Sequence, residues 1–129
     1  MKSVVICGSS RFADEIREFS KKLKELGVYV YEPHLYRASG GNWDKIEEFD
    51  KKFVAMGLVH DHLYKIRMAD VSFIFNKGGY IGNSTTLEIG YAVALNKPIF
   101  TLSEVDEEIC RRVLFRESTA TPEELVKLL

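Results

Sequence analysis

The feature that most constrains this chain is an alternation. Short apolar runs bounded by turn residues are separated by stretches in which apolar residues recur every three or four positions. Val4, Val5 and Ile6, stopped by Gly8, Ser9 and Ser10, read as a fully buried strand, as do Val71 to Phe75 and Pro98 to Leu102. Val28 to Tyr31, stopped by Pro33, reads as another. Phe12, Ile16, Phe19, Leu23 and Leu26 form one helical stripe, with Ser10 placed to cap it and Gly27 where a left-handed residue closes a helix. A helical region from Trp43 to Ala69 follows, with a break expected near Gly57 and with Val59, Leu63 and Ile66 facing inward. The stretch from Ser84 to Leu95 is apolar nearly all round, which predicts a buried helix covered in part by a second subunit. Val105 to Arg112 predicts a short helix and Val113 to Phe115 an edge strand. Thr121-Pro122-Glu123-Glu124 opens the last helix with a cap, a proline at the first helical position and a capping-box glutamate. Strands alternating with helices in this way form an α/β fold, a parallel sheet of four to five strands with helices on both faces.

The bulk properties narrow the function. With 129 residues, 46% of them hydrophobic, the chain is long enough for one domain (1–129) with a core of its own. A net charge of −1, with acidic and basic residues interleaved, leaves no basic stripe and argues against nucleic acid as a partner. Cys7 and Cys110 lie far apart with no CxxC, which points to a reducing, cytoplasmic compartment rather than a disulfide framework. The apolar run after Lys2 stops at Gly8, too short for a signal segment or membrane span, so no membrane partner is expected.

Parallel sheets bind ligands beyond the carboxyl ends of their strands, where the strand order reverses. Two loops leave those ends as neighbours, Cys7 to Phe12 and Asn76 to Thr86, and the site is expected between them. In the first, Gly8, Ser9, Ser10 and Arg11 offer backbone N–H groups, hydroxyls and a cation ahead of a helix, a set suited to an anion. The blander alternative makes Ser10 a cap, Arg11 a surface charge and Cys7 a core thiol. The second loop carries Gly78, Gly79 and Gly82, which permit close approach of the backbone, then Asn83, Ser84, Thr85 and Thr86 at a helix N-terminus, with Glu88 expected in the first turn. Here the alternative is sharper, because Thr85-Thr86-Leu87-Glu88 also fits a capping box in which Glu88 serves only the backbone.

His60-Asp61-His62 does not make a metal site, since neighbours two apart on a helix do not share a face and no further ligands are evident. Asp61 and His62 do fall near the ligand end of the sheet, His62 at the border of the inward face and Asp61 pointing outward. Either is placed to take part in acid–base chemistry or simply to pack. Tyr36, Arg37 and Trp43, on the loop after the second strand, are placed to cover a ring.

Several of these motifs resemble the nucleoside 2-deoxyribosyltransferase superfamily, which includes the 2′-deoxynucleoside 5′-phosphate N-hydrolases. The resembling residues are Gly8-Ser9-Ser10-Arg11 after the opening strand, Ala69-Asp70-Val71, and Thr85-x-x-Glu88-Ile89-Gly90-Tyr91-Ala92 followed by Asn96-Lys97-Pro98-Ile99. Gly78-Gly79-Tyr80 with Cys7-Gly8-Ser9-Ser10 is similar also to the cytokinin-activating phosphoribohydrolases, which act on the same bond. The resemblance implies a flavodoxin/Rossmann-like three-layer sandwich. It further implies an enzyme that cleaves or exchanges the N-glycosidic bond of a nucleoside or its 5′-monophosphate, with Glu88 as nucleophile. His62, or Asp61 beside it, falls where the family carries an aspartate, and as an acid it would serve the leaving base. Gly8, Ser9, Ser10, Arg11, Gly79, Gly82, Asn83, Ser84 and Thr85 would hold sugar or phosphate. Such chemistry requires no metal and no organic cofactor, and the resemblance implies a homodimer or higher homo-oligomer. The alternative on the same fold is a non-catalytic nucleotide-binding or sensing module.

Overall fold

The computed structural model describes residues 2–35 and 43–129. Five strands, β1 (Ser3–Gly8), β2 (Tyr29–Tyr31), β3 (Val71–Phe75), β4 (Ile99–Thr101) and β5 (Glu117–Ser118), form one sheet in the order β2-β1-β3-β4-β5, with every pairing parallel. The helices are α1 (Ala13–Glu25), α2 (Glu48–Met68), α3 (Asn83–Ala94), α4 (Ile109–Arg112) and α5 (Pro122–Leu128).

The pleat of each strand explains the three layers. On β1, Val4 and Ile6 point to one face and Val5 and Cys7 to the other, because successive side chains alternate. Val4, Ile6, Val71, Phe73 and Phe75 pack with Ile16, Phe19 and Leu23 of α1 and Leu125 of α5. Val5, Cys7 and Ile74 pack with Ile66 of α2 and Ile89 and Ala92 of α3. Strands buried on both faces are apolar at nearly every position, buried Ser72 of β3 being an exception, so their runs carry no regular polar alternation. The order places the reversal between β1 and β3: the chain leaves β1 toward β2 on one side, then returns to lay β3 on the other. At the opposite end of the sheet, Asp70 Oδ2 accepts from the Ser3 N–H at 2.7 Å and from its hydroxyl at 3.0 Å.

Several expectations are corrected. α2 is unbroken at Gly57, whose Cα faces open space, so the glycine costs helix stability without interrupting the helix. Trp43–Lys45 forms a separate 3-10 turn ahead of α2. Val59 is 51% exposed, whereas His62 and Ile66 are buried. Ser10 does not cap α1, which starts after Phe12 with no side-chain cap; the hydroxyl that accepts from the Arg11 N–H is that of Ser9, ahead of a 3-10 turn over Ser10–Phe12. Val113–Phe115 is not a strand: the N–H groups of Leu114 and Phe115 bond back to Arg111 and Arg112 as a turn. The edge strand is instead polar Glu117–Ser118, extended by bonds from Arg116 N to Ile99 O and Thr119 N to Thr101 O. Helix α4 is only its second half, Ile109–Arg112, because Asp106 accepts the Glu108 N–H and makes a turn of the first half. Within one chain α3 is buried on one side only, with Leu87 73% exposed. The Thr121 capping box and the left-handed Gly27 (φ 88°) are as expected.

Candidate active site

Beyond the carboxyl ends of β1 and β3 lies a cavity of about 670 Å³. Its walls come from the β1 loop (Gly8, Ser9, Ser10), the start of α3 (Gly82 to Thr85, then Leu87, Glu88 and Tyr91), the middle of α2 and the segment after β2. No helix among the described residues is long and apolar enough to cross a membrane.

Glu88 sits deep in this cavity. Helix α3 begins at Asn83 after Gly82, so Glu88 falls one turn beyond the capping positions. Thr85 caps nothing either, and the hydroxyl that closes the first turn belongs to Thr86, donating to Gly82 O at 2.9 Å. The capping-box alternative therefore fails on register. The Glu88 side chain is 18% exposed and its Oε2 is buried with no hydrogen-bond partner. Burial raises its pKa from 4.5 to about 7, with a hydrogen bond from the adjacent Cys7 thiol pulling the other way.

Two groups surround that oxygen. His62 Nε2 is 3.6 Å from Glu88 Oε2 and 3.3 Å from Cys7 Sγ. Burial, then the neighbouring Lys65 charge, lowers the His62 pKa to about 4, so the ring is neutral at neutral pH and makes no ion pair with Glu88. Burial and the Glu88 charge hold the Cys7 thiol well above its ordinary range. Cys7, His62 and Glu88 each present a metal-ligating atom, all within 4.8 Å of one another. The first turn of α3 has no side-chain cap, and Gly82, Asn83, Ser84 and Thr85, around its N–H groups, line the cavity, a surface matched to an anionic or hydroxyl-rich ligand.

The sequence profile of nucleoside 2-deoxyribosyltransferases matches residues 6–125. The chain belongs to that family. The fold agrees with solved structures of low sequence identity. A 2-deoxyribosyltransferase from Bacillus psychrosaccharolyticus is 17% identical over 95% of this chain and 89% of its own, with a TM-score of 0.67. A CMP N-glycosidase from Clostridium botulinum is 20% identical over 98% and 97%, with a TM-score of 0.55. A conserved protein from Enterococcus faecalis V583 is 17% identical over 98% and 96%, with a TM-score of 0.58. No curated protein matches the sequence.

In this deoxyribosyltransferase-family chain the fold gathers Gly8, Ser9, Ser10, His62, Gly82, Asn83, Ser84, Thr85 and Glu88 around one cavity. It leaves three expected residues off the lining. Asp61 turns away and binds Lys65 Nζ at 2.8 Å and His34 Nε2 at 2.7 Å, which lowers its pKa, Lys65 first. The Arg11 guanidinium lies 3.5 Å over the Tyr80 ring. Gly79, with φ 83°, is buried where a Cβ would sit 2.9 Å from the Val105 carbonyl, so its task is packing the turn. Trp43 lines the cavity, while Tyr36 and Arg37 lie outside the described residues. Sequence reasoning missed His34, Leu58, Leu63 and Tyr91 in the lining. Tyr91 was within reach: it stands three residues after Glu88, on the same helix face.

Proposed function

We propose that this chain cleaves, or transfers a sugar at, the N-glycosidic bond of a (deoxy)nucleoside or its 5′-monophosphate, with Glu88 as nucleophile. The observation that carries the reading is the Glu88 carboxyl, buried in the wall of the cavity at the β1/β3 switch point with its Oε2 unpartnered. Carboxyls whose pKa is raised by desolvation in a cleft cluster at functional sites. As carboxylate it attacks C1′ through an oxocarbenium-like transition state; the C1′–N bond breaks, and its electron pair leaves with the base, which takes a proton from water. Water, or a nitrogen of a second base, then attacks C1′ of the ester and restores the carboxylate. Neutral His62 suits acceptance of a proton from that incoming water better than donation to the leaving base. Ser9, Ser10, Asn83, Ser84 and Thr85 hold sugar or phosphate, and Trp43 and Tyr91 flank the base.

A nucleotide-sensing module is the second reading, favoured by one observation: among the described residues no second carboxyl stands beside Glu88 to protonate a leaving base. The deciding experiment incubates the protein with nucleosides and nucleoside 5′-monophosphates, with and without acceptor bases, and follows freed or exchanged base by chromatography. Turnover lost in Glu88→Ala supports the mechanism, and turnover that survives the substitution sinks it. Binding without turnover establishes the sensor.

A homo-oligomer belongs to the same proposal. Phe49, Phe53 and Met56 on α2 and Leu87 on α3 are exposed apolar residues, and Leu87 is at the cavity itself. A second copy covering them makes a dimer by light scattering the expected state. Free thiols at Cys7 and Cys110 fit a cytoplasmic setting.

A further inference from the structure

We infer that Cys7, His62 and Glu88 form a binding site for a thiophilic divalent cation, with Zn²⁺ the best match. The donor set is one thiolate sulfur, one imidazole nitrogen and one carboxylate oxygen, the types that zinc prefers. The spacing agrees as well. With zinc–sulfur bonds of about 2.3 Å and zinc–nitrogen and zinc–oxygen bonds of about 2.0–2.1 Å, a tetrahedral centre separates sulfur from nitrogen by about 3.6 Å and nitrogen from oxygen by about 3.3 Å. The corresponding separations here are 3.3 Å for Cys7 Sγ to His62 Nε2 and 3.6 Å for His62 Nε2 to Glu88 Oε2, each within a few tenths of an ångström of the tetrahedral value, and the sulfur and the carboxylate oxygen lie within 4.8 Å of each other.

The second, independent observation is that one of these three atoms, Glu88 Oε2, is left unsatisfied. His62 is only 5% exposed and Glu88 Oε2 is buried without a hydrogen-bond partner, aimed at the imidazole. A buried oxygen of this kind calls for a cation or a proton. Bound Zn²⁺ displaces the thiol proton, and the carboxyl proton when Glu88 holds one, to solvent and forms the sulfur–zinc and oxygen–zinc bonds, leaving two anions and one dication where two desolvated acids stood. His62 and Glu88 line the cavity while Cys7 lies behind them, so the ion enters from the cavity and its fourth position faces the ligand space. His62 Nδ1 lacks a partner to orient the ring, which makes the site a reversible one released by chelators. The cation would occupy the oxygen that attacks C1′, so the loaded chain is silent; that consequence rests on the nucleophile reading, the binding does not.

The test is titration of metal-free protein with Co²⁺, followed by near-ultraviolet absorbance. A sulfur-to-cobalt charge-transfer band that saturates at one ion per chain, is displaced by Zn²⁺, is lost in Cys7→Ser and is kept in Cys110→Ser supports the site. Glu88→Gln and His62→Ala, each checked for folding by circular dichroism, weaken Zn²⁺ binding by more than the roughly 10–100-fold that removal of an outer-shell partner costs. No band at any Co²⁺ concentration, a band that persists in Cys7→Ser, or unchanged affinity in both Glu88→Gln and His62→Ala overturns the proposal. The spectrum needs no turnover, so an active enzyme without the band refutes only the metal site, and an inactive protein with it refutes only the chemistry.

Discussion

Glu88→Gln is expected to stabilise the protein, and to do so more as the pH rises. The carboxyl's pKa lies at about 7 in the folded chain against an ordinary 4.5. The folded chain therefore holds this proton more tightly than the unfolded chain does. The stability so contributed is fully present below pH 4.5, declines as the pH climbs, and is gone once the pH has passed about 7. At about 1.4 kcal/mol per pKa unit, ionising the buried group costs the fold about 3 kcal/mol. Glutamine keeps the shape and cannot ionise, so the variant-minus-parent stability should widen by about 2–3 kcal/mol between about pH 5 and about pH 8.5. Near the upper value that is a rise in Tm of roughly 10 °C for a domain of this size. The amide brings its own desolvation cost, but that cost does not depend on pH and cancels between the two conditions. His62 titrates in an overlapping window with the opposite sign: its pKa falls from 6.5 to about 4, so its contribution is present above 6.5 and lost as the pH drops. Its shift comes from burial, Lys65, Asp61 and His34, none of which the substitution touches, so it too cancels. The assay is guanidinium unfolding by circular dichroism for both proteins at both pH values. A stability difference that is equal at the two pH values refutes the claim that Glu88 is held protonated by burial.

The same ionisation should appear in turnover: kcat/KM for base release is expected to rise through about pH 7, reporting free-enzyme Glu88, whereas an acidic limb near pH 4 alone would assign the nucleophile elsewhere. Gly79→Ala is expected to lower stability by about 2–3 kcal/mol, since it combines φ 83° with a Cβ 2.9 Å from the Val105 carbonyl; Gly78→Ala, at φ 64° but in open space, should cost only about 1 kcal/mol, and equal thermal melts for the two would remove the packing argument. Arg111 holds the buried Asp106 with its Nε and Nη2 and reaches Thr86 Oγ1 at 3.2 Å; burial raises the Asp106 pKa, but this fork outweighs it and keeps the carboxyl ionised. Arg111→Ala strands that charge and should cost about 3 kcal/mol in chemical denaturation while loosening the first turn of α3.

Much of the architecture is legible in local residue patterns. The apolar runs of β1 and β3 could only be strands buried on both faces, and the stripe of α1 could only be a helix over one of them. Parallel strands joined by helices then bring the loops after Gly8 and Asn76 to one end of the sheet, so a cavity between them followed from chain order. Failures of pattern occur where local chemistry is overridden. The apolar Val113–Phe115 lost the sheet edge to Glu117–Ser118, since an edge strand needs free backbone rather than buried side chains.

Glu88 marks the boundary between the two kinds of information. Its residue type and its helix are written in the chain, yet the same letters fit a cap and a nucleophile. Only the start of α3 at Asn83, a turn upstream, removes the cap and turns the carboxyl inward. Likewise Cys7, His62 and Glu88 lie on three separate elements, and no spacing in the sequence announces them as neighbours. Their contact is set by the β1/β3 crossover and the packing of α2 on α3. Low-dielectric burial acts on atoms brought together in space, and the shifted pKa values of His62 and Glu88 exist only in the folded chain.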